Sequence, residues 1–418
     1  MKGMAHGVLA TAVAALALVT VAGEPALAQR KKKEEGGAPK LQLTEAVRKE
    51  LVAAQAAIQA KDFPTAKARL DAAAQVPNRT ADDNDILAQL QIQLGQETQD
   101  TAMLKQGIEG RLAAGKLTAE EQPRYVRNLA AIAVRANDWG MAQTQFERLA
   151  QMTPNDPTVQ ADLGRIYWRN KQGPQAYAAF DRAIAASEAA GTKPEENIYA
   201  TRLQIAFDYN LNDKVDGAAR ALVKNYPTPK NWNVALFALR RAAKFDDQGE
   251  LDTLRLSRAA GALTGQNEYL EYADTAQRRG LPGEGRMVLE EGIAKNAVDP
   301  NATNARELRS LLTAQRASTD KASLAGLERD ARNAPTGRQA RATGDGYLSH
   351  GEYAKAAEMY RLALQKGGED ANTVNTRLGI ALARSGDKAG AREAFGRVKG
   401  GQRETLAAYW MIWLDQQA

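Results

Sequence analysis

Thirty-four residues separate Leu129 from Leu163, Ala142 from Ala176, and Phe146 from Phe180. Small and large apolar residues that return at one fixed offset mark a chain of stacked supersecondary units, because one such unit cannot bury its apolar face alone. In a stack each unit touches its neighbours, the core is continuous, and a long surface stays open. The spacing therefore constrains the chain to a repeat array, and it points to binding rather than to a named reaction.

The clearest unit runs from Pro157 to about Ala190, with Leu163-Gly164, Tyr167, Ala176, Phe180 and Ala183. Gly164 and Ala176 are small enough for two helices to approach closely, Tyr167 and Phe180 fill the space beside them, and Gly173-Pro174 breaks the chain between the two helical patterns. The preceding unit, Pro123 to Asp156, carries Leu129-Ala130, Ala133, Ala142 and Phe146, closes on Pro154, and turns at Asn137-Asp138. Near the C-terminus, Gly344, Tyr347, Ala356, Tyr360 and Ala363 form one unit, and Leu378-Gly379, Ala391 and Phe395 form the next. Looser versions carry Ala53-Ala54, Ala66 and Leu70; Ile205-Ala206, Ala218 and Leu222; and Tyr272-Ala273, Gly285 and Leu289. Residues 84–116 and 231–264 read as helical, but the pattern cannot be placed in them.

These positions resemble the tetratricopeptide repeat (TPR), a Leu-Gly pair followed by Tyr, Ala, Phe and Ala and often closed by Pro. The resemblance implies an all-α, right-handed superhelix (α-solenoid) of stacked antiparallel helix pairs, with about seven to nine hairpins in this chain. It also implies a scaffold in which the first helix of each repeat lines a concave groove that takes protein or peptide partners. The reading identifies the chain as an exported bacterial member of that type.

Export is read from the N-terminus. Lys2 supplies a positive start, Val8 to Val21 is apolar, and Ala26-Leu27-Ala28 matches a cleavage site, so residues 1–28 are expected to be a signal peptide that delivers the chain to the periplasm. The run is short for a membrane-spanning helix, and no stable span is expected after cleavage. Residues 29–43, with Arg30 to Lys40 charged and rich in Gly and Pro, are expected to be a disordered leader. Helical repeats are then expected over 44–320, with Thr44 as a helix N-cap, a connecting segment over 321–336, two further repeats over 337–401, and a capping helix over 402–418. That last stretch holds Tyr409, Trp410 and Trp413; covering the final open core is one use for them, and an exposed aromatic patch for a partner is the other.

Composition narrows the chemistry. Cysteine is absent, which excludes thiol catalysis and cysteine metal sites. Two histidines are present; His6 leaves with the signal peptide and His350 stands at an inter-helix turn, so zinc held by paired histidines is not available. Asp82-Asp83-Asn84-Asp85 lacks the glycine and later glutamate of a calcium loop and suits a helix N-terminus. No catalytic residue, metal or cofactor is assigned, and an enzyme is not expected. A net charge of +6 over 418 residues, with both signs interspersed, falls short of a nucleic-acid signature.

The suggestive residues are arginines. Carrying the groove over from the resemblance places Arg124, Arg127, Asn128 and Arg135 in one unit, Arg165, Trp168 and Arg169 in the next, Arg338 and Arg341 in the unit from Gly337, and Arg377 and Arg384 in the last. Guanidinium groups match carboxylates bidentately, so such a groove would favour an acidic protein or peptide partner. The expected function is a periplasmic scaffold for protein–protein interaction. The alternative is an accessory or degenerate helical domain in cell-envelope polysaccharide or peptidoglycan metabolism.

Overall fold

The computed structural model of the protein describes residues 41–417. The expected signal peptide with His6, the leader through residue 40, and Ala418 lie outside the described residues.

The described residues contain helices and no strand, and they divide into two compact units, 41–194 and 195–417. The first unit holds α1 (Glu45–Gln59), α2 (Phe63–Gln75), α3 (Ala81–Glu97), α4 (Thr101–Ala113), α5 (Gln122–Arg135), α6 (Trp139–Met152), α7 (Pro157–Arg169) and α8 (Gly173–Ala189). The second opens with α9 (Glu196–Asp208), α10 (Asn212–Asn225), α11 (Pro229–Ala243), α12 (Asp247–Ala259), α13 (Gln266–Arg278) and α14 (Pro282–Ala294). It continues through α15 (Thr303–Leu311), α16 (Ala314–Asn333), α17 (Arg338–Ser349), α18 (Tyr353–Lys366), α19 (Ala371–Ser385), α20 (Lys388–Gly396) and α21 (Gly401–Asp415). The break between units falls inside the stretch 44–320, and most of the segment 321–336 belongs to α16. No helix of the described residues is long and apolar enough to cross a membrane.

Local chemistry sets the helix boundaries. Asn137 (φ 56°) and Lys171 (φ 60°) occupy equivalent left-handed turn positions, as do Gly351 (φ 74°) and Gly386 (φ 91°). The residue after such a turn often caps the next helix: the Asp138 carboxylate accepts the Met141 N–H at 2.9 Å, and Asp387 accepts the Gly390 N–H at 2.8 Å. Thr44 holds the N-cap position of α1, but its side chain does not cap that helix. Its hydroxyl donates instead to Asp83 at 3.0 Å, and its N–H donates to the same carboxylate. Asp83, fully buried, also closes a capping box with Thr80 at the start of α3, so the acidic run Asp82–Asp85 serves helix starts and packing.

The hairpins are TPR-like antiparallel pairs, and one rule builds them. A small residue on the first helix stands sixteen positions before a large one on the second: Ala54 and Leu70, Ala130 and Phe146, Gly164 and Phe180, Ala206 and Leu222, Ala273 and Leu289, Gly344 and Tyr360, and Gly379 and Phe395. All of these are buried. A Cβ on Gly164 would lie 2.9 Å from the Phe180 ring, and one on Gly379 would lie 2.5 Å from the Phe395 ring, so both pairs depend on the missing methyl. Each buried large side chain contributes about 1.5–3 kcal/mol of apolar burial.

Residues 84–116 and 231–264 hid the pattern for different reasons. In α3 and α4 the close approach runs through Gly95, Gly107 and Gly110, whose Cβ positions would meet the backbone or Cβ of the facing helix; two of these glycines lie on the second helix. α12 is a central helix of its unit: Leu251 through Ser257 are all buried, so the polar side chains Asp252, Thr253, Arg255 and Ser257 are covered as fully as the leucines, and a polar side that is buried does not mark a solvent face.

The second unit is closed by α21. Tyr409 and Trp410 are fully buried; Trp410 stacks on Phe395 at 5.9 Å, and Tyr409 meets Trp232 of α11 at 6.3 Å. The Trp413 indole N–H donates to the Ala259 carbonyl, and Gln416 donates to the Val223 carbonyl and accepts from Trp232. The aromatic tail thus packs on α20 and also fastens to α10, α11 and α12. An exposed aromatic patch is ruled out, because these rings fill the interior between the two ends of the unit.

Candidate protein-binding surface

The arginines read from the sequence divide by unit. On α5, Arg124 is exposed with its guanidinium 5.6 Å from the Tyr125 ring, and Arg135 is exposed in the last turn. Arg127 is half-buried and donates to Asp156 at 3.0 Å, while Asn128 is buried at 2% exposure. Asp156 is the N-cap of α7, so Arg127 ties one hairpin to the start of the next. On α7, Arg165 donates to Asp162 at 2.6 Å, Trp168 is half-buried, and Arg169 is exposed over the Trp139 ring at 5.2 Å. Burial pushes the Asp162 carboxyl up, with Arg165 and Arg127 pulling the other way.

In the second unit Arg338 is exposed at the start of α17. Arg341 is committed to Asp345 at 2.8 Å and Glu369 at 2.5 Å. Arg377 corrects the groove assignment. It is 3% exposed and donates to both oxygens of Asp345 at 2.8 and 2.9 Å, to Asp252 at 3.2 Å, and to Gln248 at 3.2 Å. It faces Asp252 and Gln248 of α12 rather than solvent.

This buried cluster is extensive. Asp252, fully buried, accepts from Arg255 at 2.8 Å, Arg377 at 3.2 Å and Arg403 at 3.0 Å. Arg255 also forks onto Glu284 at 2.8 and 2.6 Å, and the Tyr272 hydroxyl donates to Glu284 at 2.7 Å. Burial acts to raise the Asp252 and Glu284 carboxyls, but the guanidinium groups outweigh it and hold both below the usual carboxylate range. Burial pushes the Tyr272 and Tyr360 hydroxyls well up, so both stay protonated donors. The cavity beside the cluster, lined by Arg255, Arg258, Tyr272, Glu284 and Trp410 among others, has a volume of about 30 Å³. That is room for a water rather than a substrate. His350 Nε2 donates to the Asp320 carboxylate of α16 at 2.8 Å. Among the described residues no group of three or more His, Asp or Glu is placed to hold a metal.

One arrangement recurs in both units and was not legible beforehand. Arg169 stands five positions after Gly164, and Arg384 stands five after Gly379. Each guanidinium lies over an aromatic ring at the first residue of the preceding helical hairpin's second helix: Arg169 over Trp139 at 5.2 Å, and Arg384 over Tyr353 at 5.6 Å. Both arginines are exposed, and neither has a carboxylate partner among the described residues. A guanidinium stacked on a ring is held by its face and keeps its N–H edge for an incoming anion. Arg135 occupies the same station in the hairpin before Arg169, thirty-four residues earlier.

No family model and no curated protein matches the chain. Among solved structures it is similar to a Pseudomonas aeruginosa chain described in the functional characterization of pilF, at 14% identity over 64% of this chain and 97% of the other, TM-score 0.27. It is also similar to a tetratricopeptide repeat protein from Parabacteroides merdae (11% identity, 81% of this chain and 100% of the other, TM-score 0.27) and to the apo form of RapI (12% identity, 77% and 97%, TM-score 0.25).

Proposed function

We propose that this chain is a protein-interaction scaffold of the periplasm that recognises acidic segments of its partners through guanidinium groups at repeated stations. The observation that carries this reading is the pair Arg169 and Arg384, stacked on Trp139 and Tyr353 at equivalent places, exposed, and without internal carboxylates. Arg135 is exposed and shares their sequence station, five residues after Ala130. Arg377 and Arg341 contribute to folding instead, since buried or half-buried carboxylates already satisfy them. The periplasmic location is supported by the apolar run Val8 to Val21 and the small residues of Ala26-Leu27-Ala28.

The test compares proteins co-purified from cells producing wild type and the triple variant Arg135→Glu, Arg169→Glu, Arg384→Glu, with circular dichroism to establish equal folding. Loss of the wild-type partners from the variant is the expected result. Equal recovery with intact folding overturns the reading. Osmotic-shock release of a chain beginning at Gln29 is expected; retention with spheroplasts would remove the assigned compartment.

A further inference from the structure

Among the described residues the exposed large apolar side chains are Val52, Val234, Phe237, Leu311 and Leu327. Only Val234 and Phe237 share a helix. They lie three apart on α11, and Phe237, at 57% exposure, is the one aromatic of the five. The opposite side of α11 is buried through Trp232, Leu236 and Leu239.

The outward side of α11 carries a continuous strip. Positions 230, 234, 237 and 241 follow three- and four-residue steps and fall on one face, and position 244 is the C-cap just past the helix end, with left-handed backbone (φ 48°). They are Lys230, Val234, Phe237, Arg241 and Lys244, all exposed. None of the three cations has an ion-pair partner among the described residues, whereas Arg240, one step round the helix, is committed to Glu250 and Glu271. The helix dipole accounts for cations at the C-terminal end but disfavours Lys230 in the first turn. Two apolar side chains between cations also form too small a face to hold a helix in a bilayer interface, since the rest of α11 is buried in the fold.

We infer that this strip docks an acidic amphipathic helix of a protein partner. Apolar side chains of the partner seat on Val234 and Phe237, and its carboxylates pair with Lys230, Arg241 and Lys244. The inference rests on the scaffold reading above but uses a different surface from the stacked arginines, so the two fail separately.

The test measures fluorescence anisotropy of labelled helical peptides of about five turns (~18 residues) against the full chain. One peptide carries Leu at three- and four-residue spacing with Glu elsewhere; its twin carries Lys in place of Glu. The Glu peptide is expected to bind on the order of 10–100 μM and to weaken about tenfold or more for Phe237→Ser and for the double variant Arg241→Glu, Lys244→Glu. The triple variant at Arg135, Arg169 and Arg384 should leave that binding unchanged. Equal binding of both peptides, no saturable binding of the Glu peptide, or indifference to Phe237→Ser overturns the proposal. So does tighter association with anionic vesicles than with the peptide, or a wild-type dimer that Phe237→Ser converts to monomer. Phe237 is exposed, so an unchanged melting temperature for Phe237→Ser establishes that the fold survives.

Discussion

Replacing Asp252 by asparagine should destabilise the second unit more than any exposed charge change. The amide keeps the shape of the carboxylate and leaves no cavity, so the effect isolates charge. Asp252, Glu284 and Asp345 face Arg255, Arg377 and Arg403, and the adjoining Arg341–Glu369 pair is itself balanced. The substitution leaves one cation in excess where Asp252 is 0%, Arg377 3% and Arg255 5% exposed. Breaking a buried ionic group by removing one partner costs about 3–5 kcal/mol. Against a typical total of about 5–15 kcal/mol, that is a large fraction. Equilibrium urea unfolding followed by tryptophan emission reads it, since Trp232, Trp410 and Trp413 lie in the second unit and Trp139 and Trp168 in the first. The transition of the second unit should move while that of the first stays. Adding Arg403→Gln, which removes the most exposed of the three cations, should recover part of the loss. A shift below about 1 kcal/mol, or strict additivity of the two substitutions, would refute the claim that Asp252 centres a coupled cluster.

Two further outcomes follow from the packing and the charges. Gly379→Ala places a methyl 2.5 Å from the buried Phe395 ring. Overpacking of about 1–3 kcal/mol then outweighs the ~1 kcal/mol gain in helix propensity, whereas Gly217→Ala on the open face of α10 should gain about 1 kcal/mol; thermal melts with the same sign for both would contradict the small-against-large rule. Asp252 and Glu284 are held below their unfolded values, so the unfolded chain takes up protons first. Their stabilisation is present above about pH 4 and lost as pH falls through the folded values; in acid titrations of stability the Asp252→Asn variant should show a shallower fall than wild type.

The spacing of thirty-four residues and the small-and-large alternation determined the helical hairpins, because those contacts lie within one repeat and leave a periodic trace. Gly164 with Phe180 and Gly379 with Phe395 are local in that sense. The turn residues Asn137 and Gly386 are legible for the same reason. Tertiary structure decided which arginines are available. Arg377 and Arg384 lie on one helix, yet one is locked to Asp252 across 125 residues and the other stands exposed over Tyr353. It also decided that α21 reaches back to Ala259 and Val223, across 154 and 193 residues. Such contacts are set by how the hairpins of one unit curve together, and no local pattern in either partner announces the other. Over Leu251 to Ser257 α12 is covered on its polar side as well as its apolar side, and polar residues in a sequence read as solvent-facing, so the charged heart of the second unit was visible only once the chain was folded.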